Sequence, residues 1–243
     1  MYKRQASVQS LEYVPLAARV KLAFPLLNDP VRAVRIEAAR VLAAIPEGDL
    51  AKDQVAQMTK GLQEYIRAQQ AMAERPEAQT NLGNLYAARG KFDEAVVAYQ
   101  AAVGLDAAYV PGYVNLADLY RATGKESESE LQLRRAAAAA PDNADVHHAL
   151  GLALVRQKRM DEALQELRLA ATLSPRNAHY IYVYAGALNS TGRSEQAILV
   201  LQGAHNAHPD NEAILRALVA FHRDSGNQSA ARSYAEKLHA ISP

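Results

Sequence analysis

The side chains best suited to chemistry in this chain are arginines and histidines. Arg121, Arg156, Arg216 and Arg223 each carry a flat, two-pronged donor that pairs with a carboxylate through two bonds at once. A row of them would grip an acidic segment. Asp118, Asp145 and Asp224 lie close by in sequence and would offset the same charges as an ordinary solvated face. His147 and His148 are neighbours and point in different directions on a helix, whereas His205 and His208, three apart, can share one face. No third ligand accompanies either pair, and no metal site is expected. Phosphate chemistry would need a glycine-rich loop, acyl transfer a Gly-x-Ser-x-Gly elbow, and zinc proteolysis a His-Glu-x-x-His. The sequence holds none of these, and no carboxylate pair stands out from its charged helix faces. The chain reads as a binder, not an enzyme.

With no cysteine among 243 residues, disulfides, thiolate metal ligands and covalent haem attachment are excluded, so no cofactor is expected within this segment. A net charge of +1 gives no general attraction to nucleic acid or to an anionic membrane. Helix-pair repeats that read RNA base by base would need a strongly basic balance. No run approaches the ~20 apolar residues of a membrane span. Apolar residues make up 49% of the chain, enough for a substantial core, yet tryptophan is absent and phenylalanine occurs three times. Alanine carries much of that fraction, which suits closely packed helices.

The elements that must position any binding residue announce themselves by a period. Leu82, Leu116, Leu150, Tyr184 and Leu218 are spaced 34 residues apart. In step run Gly90, Gly124, Lys158, Gly192 and Gly226, then Ala95, Ser129, Ala163, Ala197 and Ala231, and last Ala107, Pro141, Pro175, Pro209 and Pro243. Each slot has a physical reason. Ala78, Leu82, Leu85 and Tyr86 recur at helical spacing and give a first helix one buried stripe. Gly90 sits where that helix would end in a left-handed residue. Phe92, Ala95, Val96, Tyr99, Ala102 and Val103 give a second helix its stripe, with Ala95 where the two helices cross. Pro141, Pro175 and Pro209 stop the second helices, and Asp142 and Asn177 are placed to help cap the next helix in line.

This pattern resembles the tetratricopeptide repeat family: Leu82-Gly83, Tyr86, Ala95 and Tyr99 in the first repeat, and Leu150-Gly151, Ala163 and Pro175 in the third. It departs from the family where the first-helix Trp slot holds Gln79, Tyr113, His147, Ile181 and Leu215, where Ser129 replaces the crossing alanine, and where Lys158 replaces the turn glycine. The resemblance implies an all-α fold, a right-handed α–α superhelix of five repeats at 76–109, 110–143, 144–177, 178–211 and 212–243. Arg232, Ser233, Glu236, Lys237 and His239 would give its last helix a polar outer face. The resemblance also implies a concave groove lined by first helices and open to a peptide or protein. Its groove slots fall on Asn84, Asp118, Arg121, His148, Arg156, Tyr182, Asn189, Arg216 and Arg223. The family's clamp for a C-terminal carboxylate is not expected here. Asn84 and Asn115 fill its asparagine slots, but Thr80, Asp145 and Ala149 occupy the slots that need cations.

Upstream the period fails. Leu16, Val20, Phe24 and Leu27 predict one short helix, disturbed by Pro25, and Asp29 as N-cap with Pro30 in the first turn predicts the start of another. That second helix is expected to bury Val31, Val34, Ala38, Leu42 and Ile45 and to turn Arg32, Glu37 and Arg40 outward. Leu26-Leu27, Asp29, Val34-Arg35, Ala38-Ala39 and Leu42 resemble a HEAT-type helix pair over 6–48. Residues 49–75 read as a bridging helix that caps the array, because Tyr65 and Ala68 lie 34 before Tyr99 and Ala102. Met1–Gln5 looks like the translation of a sequencing adapter, which would make residue 6 the interior of a longer protein.

The function expected from these readings is a scaffold that holds a peptide, a protein, or an upstream domain of the same polypeptide. An alternative comes from a second likeness. The stretches Tyr113–Tyr120 and Asp142–Gly151 resemble the C-terminal region of bacterial multihaem c-type cytochromes, which would make the parent an exported, periplasmic electron carrier. Without that likeness the expectation is cytoplasmic. A third reading is the scaffold half of an enzyme such as a glycosyltransferase.

Overall fold

The computed structural model describes residues 7–241; Met1–Gln5 and Pro243, with their expected roles, lie outside the described residues, as does the side chain of Leu16. From Leu16 onward the described residues contain thirteen α-helices. The chain divides into two compact units, Met1–Leu119 and Tyr120–Pro243, with the boundary inside one helix.

In the first unit, α1 (Leu16–Ala23) runs into a 3-10 turn at Phe24–Asn28, where Pro25 cannot continue an α-helix. Next come α2 (Arg32–Leu42), α3 (Lys52–Gln70), α4 (Pro76–Ala88), α5 (Phe92–Leu105) and the start of α6 (Val110–Ala122). Val34, Ala38, Leu42 and Ile45 are buried as expected, together with Phe24, Leu27 and Met58. Two expectations are corrected. Asp29 is not the N-cap: its carboxylate takes the Val31 backbone N–H at 2.9 Å, and Val31 holds the N-cap position. Glu37 does not face outward. It is buried, because Arg40 lies against it at 2.7 Å and a paired carboxylate tolerates burial.

Helix α3 packs on α2 as well as on α4. Gly61 makes this possible: a Cβ built there would lie 3.0 Å from Ala39 Cβ and 3.0 Å from Leu27 Cδ2. Gly61 precedes Ala95 by 34 residues, so the crossing slot of the repeat extends one period upstream. Arg35 and Glu64 tie the same two helices at 2.9 Å.

The second unit holds α7 (Glu126–Ala139), α8 (Ala144–Arg156), α9 (Met160–Leu173), α10 (Ala178–Ser190), α11 (Ser194–Ala207), α12 (Glu212–Asp224) and α13 (Gln228–Ile241). Tyr180, Tyr182 and Tyr184 lie in α10, as the period requires. The crossing residues Ala95, Ser129, Ala163, Ala197 and Ala231 are all buried. Phe92, by contrast, is 46% exposed and does not belong to the buried stripe; Ala98 does. Asn143, not Asp142, caps α8, and Asn177 and Asn211 cap α10 and α12 in the same register. Each accepts a backbone N–H from the first turn, which satisfies a group the helix itself cannot.

Each first helix ends in the same way. Gly90, Gly124, Gly192 and Gly226 have φ between +70° and +79°, and Lys158 takes the same position at +60°. The residue after it donates its N–H five residues back, for example Lys91 to Tyr86 at 2.8 Å and Arg159 to Leu154 at 3.0 Å.

Candidate partner-binding surface

In the first unit, Asn84 projects from α4 and is exposed. Its carbonyl accepts from the Tyr99 hydroxyl at 2.7 Å and from Asn115 Nδ2 at 3.1 Å. The two asparagines of successive first helices are therefore bonded to each other. The Tyr99 hydroxyl is pushed up to about 12 by burial, with Asp118 adding to the effect. Asp118 itself is exposed, one turn beyond Asn115. Thr80, one of the slots that would need a cation, is buried.

Below Asn84 the same unit encloses a cavity of about 240 Å³, bordered by Arg19, Arg40, Tyr65 and Asn81. Sequence reading did not find it, because Arg19 and Arg40 lie outside the 34-residue period. Asn81, one turn before Asn84 on α4, was the available signal.

In the second unit the expected residues divide by environment. Tyr182 is 41% exposed on α10, an aromatic with no core to fill. Arg121, Arg156, Arg216 and Arg223 are exposed as well. Arg156 pairs with Glu126 at 3.2 Å, and Arg216 pairs with Glu212 on its own helix. Exposed pairs of this kind are worth roughly 0–1 kcal/mol, so they restrain the arginines only weakly. Asn189 is half-buried and accepts from the Ser194 hydroxyl at 2.7 Å.

His148 does not line an open face. It is buried, with its ring stacked on Tyr180 at 4.5 Å and edge-on to His179 at 5.1 Å. Burial, and then the neighbouring His179, hold it below the ordinary histidine value. Tyr180 donates its hydroxyl to Asp145, and burial followed by that bond pushes it up to about 12. Asp145 thus serves packing between α8 and α10. His147 places Nδ1 2.7 Å from Glu166 and Nε2 2.8 Å from the Pro141 carbonyl oxygen. Among the described residues no group of three or more His, Asp or Glu side chains is placed to hold a metal ion.

A closed ring of charge fastens α7 to α9. Glu130 meets Arg134 at 2.8 Å and Arg159 at 2.6 Å, and Glu162 meets the same two arginines at 2.9 Å and 2.6 Å. Burial alone would raise Glu130, but the bonds from Arg134 and Arg159 hold it below the usual carboxylate range.

Repeating hairpins with a left-handed turn, a small crossing residue and an asparagine cap match a known family. A tetratricopeptide repeat profile matches residues 106–241, and a TPR repeat profile matches residues 83–124. The chain belongs to the tetratricopeptide repeat family. A crystal structure of MamA is 19% identical with a TM-score of 0.60, over 68% of this chain and 91% of that one. YrrB, described as a TPR protein with an unusual peptide-binding site, is 20% identical with a TM-score of 0.59, over 73% and 91%. A second MamA structure, MamA MSR-1, is 27% identical with a TM-score of 0.54, over 68% and 95%. No curated protein matches the chain. Tetratricopeptide hairpins generally mediate protein–protein interaction and are typically non-enzymatic. No helix among the described residues is long and apolar enough to cross a membrane.

Proposed function

We propose that this tetratricopeptide protein is a scaffold that holds a peptide or a protein domain on the exposed faces of its first helices. The observation that carries the reading is Tyr182. It stands 41% exposed on the first helix of its hairpin, while Tyr180 two residues earlier is packed away. An exposed aromatic on a rigid helix supplies contact area at little entropic cost, and such residues anchor protein interfaces. In the first unit Asn84 and Asn115 add side-chain amides on the equivalent helices, where an extended peptide presents carbonyls and N–H groups. The peptide-binding site named for YrrB supports the same reading by analogy of fold.

The test is to pan a displayed library of random dodecapeptides over the immobilised full chain. Sequences should be enriched over an unrelated helical protein, and their binding should fall when Asn84 or Tyr182 is replaced by alanine. A library that enriches nothing, or binders indifferent to both changes, would count against the scaffold.

A further inference from the structure

The cavity of the first unit has an unusual lining for a solvated surface. It is lined by buried Val41 and Leu85 together with Arg40, Tyr65, Asn81 and Asn84. One carboxylate already stands at its edge. Glu12 places Oε2 3.0 Å from Arg40 Nη2. The 3-10 turn that carries it, Ser10–Tyr13, is held down by Arg19, whose Nη2 donates to the Glu12 carbonyl oxygen at 2.6 Å and to that of Val14 at 3.1 Å.

The charges here are unevenly matched. Arg40 has a buried partner in Glu37, at 2.7 Å, and an exposed one in Glu12. Among the described residues Arg19 bonds only backbone carbonyls, and its buried Nε meets no partner. The cavity thus carries two guanidiniums, with a buried carboxylate against Arg40 alone, and Glu12 brings the second negative charge. Yet the Glu12 side chain is 51% exposed, so its bond to Arg40 is a surface pair that a better-placed carboxylate can replace at small cost. An incoming acid would take over the Nη2 bond of Arg40 that Glu12 now holds. It would also lay its methylenes on Val41 and Leu85 and reach the amides of Asn81 and Asn84.

We infer that this cavity receives an acidic side chain of the bound partner, and that Glu12 holds the seat while no partner is present. The inference rests on the scaffold reading above and names the partner chemistry at one end of it. The residues are not those of the family's carboxylate clamp, whose cation slots here hold Thr80, Asp145 and Ala149.

The experiment measures random dodecapeptides enriched on the full chain by fluorescence anisotropy, against Glu12→Gln and Arg40→Gln. Peptides bearing Asp or Glu should bind Glu12→Gln about threefold more tightly, the competing surface pair being gone. The same peptides should bind Arg40→Gln about tenfold or more weakly, and their Asn or Gln counterparts should lose as much on the wild-type chain. Because Arg40→Gln strips Glu37 of its partner, the double variant Glu37→Gln with Arg40→Gln is run beside it, with its helicity checked, and should show the same loss. Enriched peptides that need no acidic residue, or that ignore both substitutions, overturn this inference and leave the scaffold standing. Sodium acetate that displaces a bound peptide at equal concentration also overturns it, since the seat would then belong to a small free acid. A library that enriches nothing on any variant overturns both readings.

Discussion

The ammonium of Lys237 donates to Nε2 of His205 across 3.1 Å, and so joins the last helix to the second helix of the hairpin before it. Only a neutral imidazole has a lone pair to accept that bond. Burial first, and the Lys237 charge second, push His205 below its ordinary value of 6.5, with Asp210 opposing. Tyr234 completes the contact, edge-on to His205 at 5.6 Å and stacked on His222 at 5.6 Å.

This arrangement predicts an acid-sensitive C-terminal hairpin. A base whose folded value lies below its unfolded value takes up its proton first in the unfolded chain, so acid favours unfolding. The contribution from His205 is complete above about pH 6.5, falls away as pH drops through that value, and levels off below the folded value. Urea midpoints measured from about pH 8 to about pH 5 should decline, and His205→Gln should flatten part of the decline. A variant with an unchanged profile would show that the Lys237 contact is not the cause. His148, also held low, contributes in the same direction and window.

Lys158 is the one non-glycine residue with positive φ among the described residues, at +60°. A side chain in that conformation costs about 1 kcal/mol or more, because its Cβ crowds the next carbonyl. Lys158→Gly is expected to raise stability by about 1 kcal/mol, less the entropy that glycine adds to the unfolded chain. The check is a higher urea midpoint at an unchanged slope. Gly124→Ala, the reverse experiment at φ +75°, should cost about the same.

The repeat was legible in the sequence because hairpins of one length impose one period on every packing constraint. The turn residues, the crossing residues from Ala95 to Ala231 and the proline stops fall where the 34-residue register puts them. Contacts that do not repeat left no such trace. Nothing in the register reveals that Tyr180 would lay its ring over His148, or that Arg40 would bury Glu37. The cavity under Asn84 was hidden for the same reason, since Arg19 and Glu12 meet through a short turn with no counterpart later in the chain. Phe92 was misplaced on hydrophobicity alone. Its position begins a second helix, where the stripe has not yet turned inward, so Ala98 is buried instead.

Gly61 supplies a test of how far the array extends. If α3 pairs with α2 through the crossing slot, a side chain at this position must push Ala39 and Leu27 apart. Gly61→Leu should therefore destabilise the protein by ~1–3 kcal/mol through overpacking. Gly104→Leu, where a Cβ would meet nothing within 4 Å, should cost nothing and gain up to about 1 kcal/mol of helix propensity. Equal effects at the two sites would mean that Gly61 is not held at a close crossing.

The three caps, Asn143, Asn177 and Asn211, offer an internally controlled series. Each side chain accepts first-turn N–H groups: Asn143 takes two, Asn177 two and Asn211 one. Alanine at each should cost about 1 kcal/mol, within a range of roughly 0.5–2, measured by chemical denaturation. Asp142→Ala is expected to cost less than any of them, since Asn143 and not Asp142 holds the cap.

Tyr182 and Leu199 separate a binding face from a merely exposed one. Both are large and exposed, at 41% and 67%, but Tyr182 lies on the first helix of its hairpin and Leu199 on the second. Neither fills a core, so alanine at either position should change stability by no more than about 0.5 kcal/mol. Binding should divide them. Tyr182→Ala is expected to weaken enriched peptides about tenfold, as truncation of an aromatic anchor does, while Leu199→Ala leaves affinity within about twofold. Anisotropy titrations with the same peptides decide it. Equal losses at the two positions would mean that exposed apolar area attracts peptides wherever it occurs, and the first-helix face would lose its special standing.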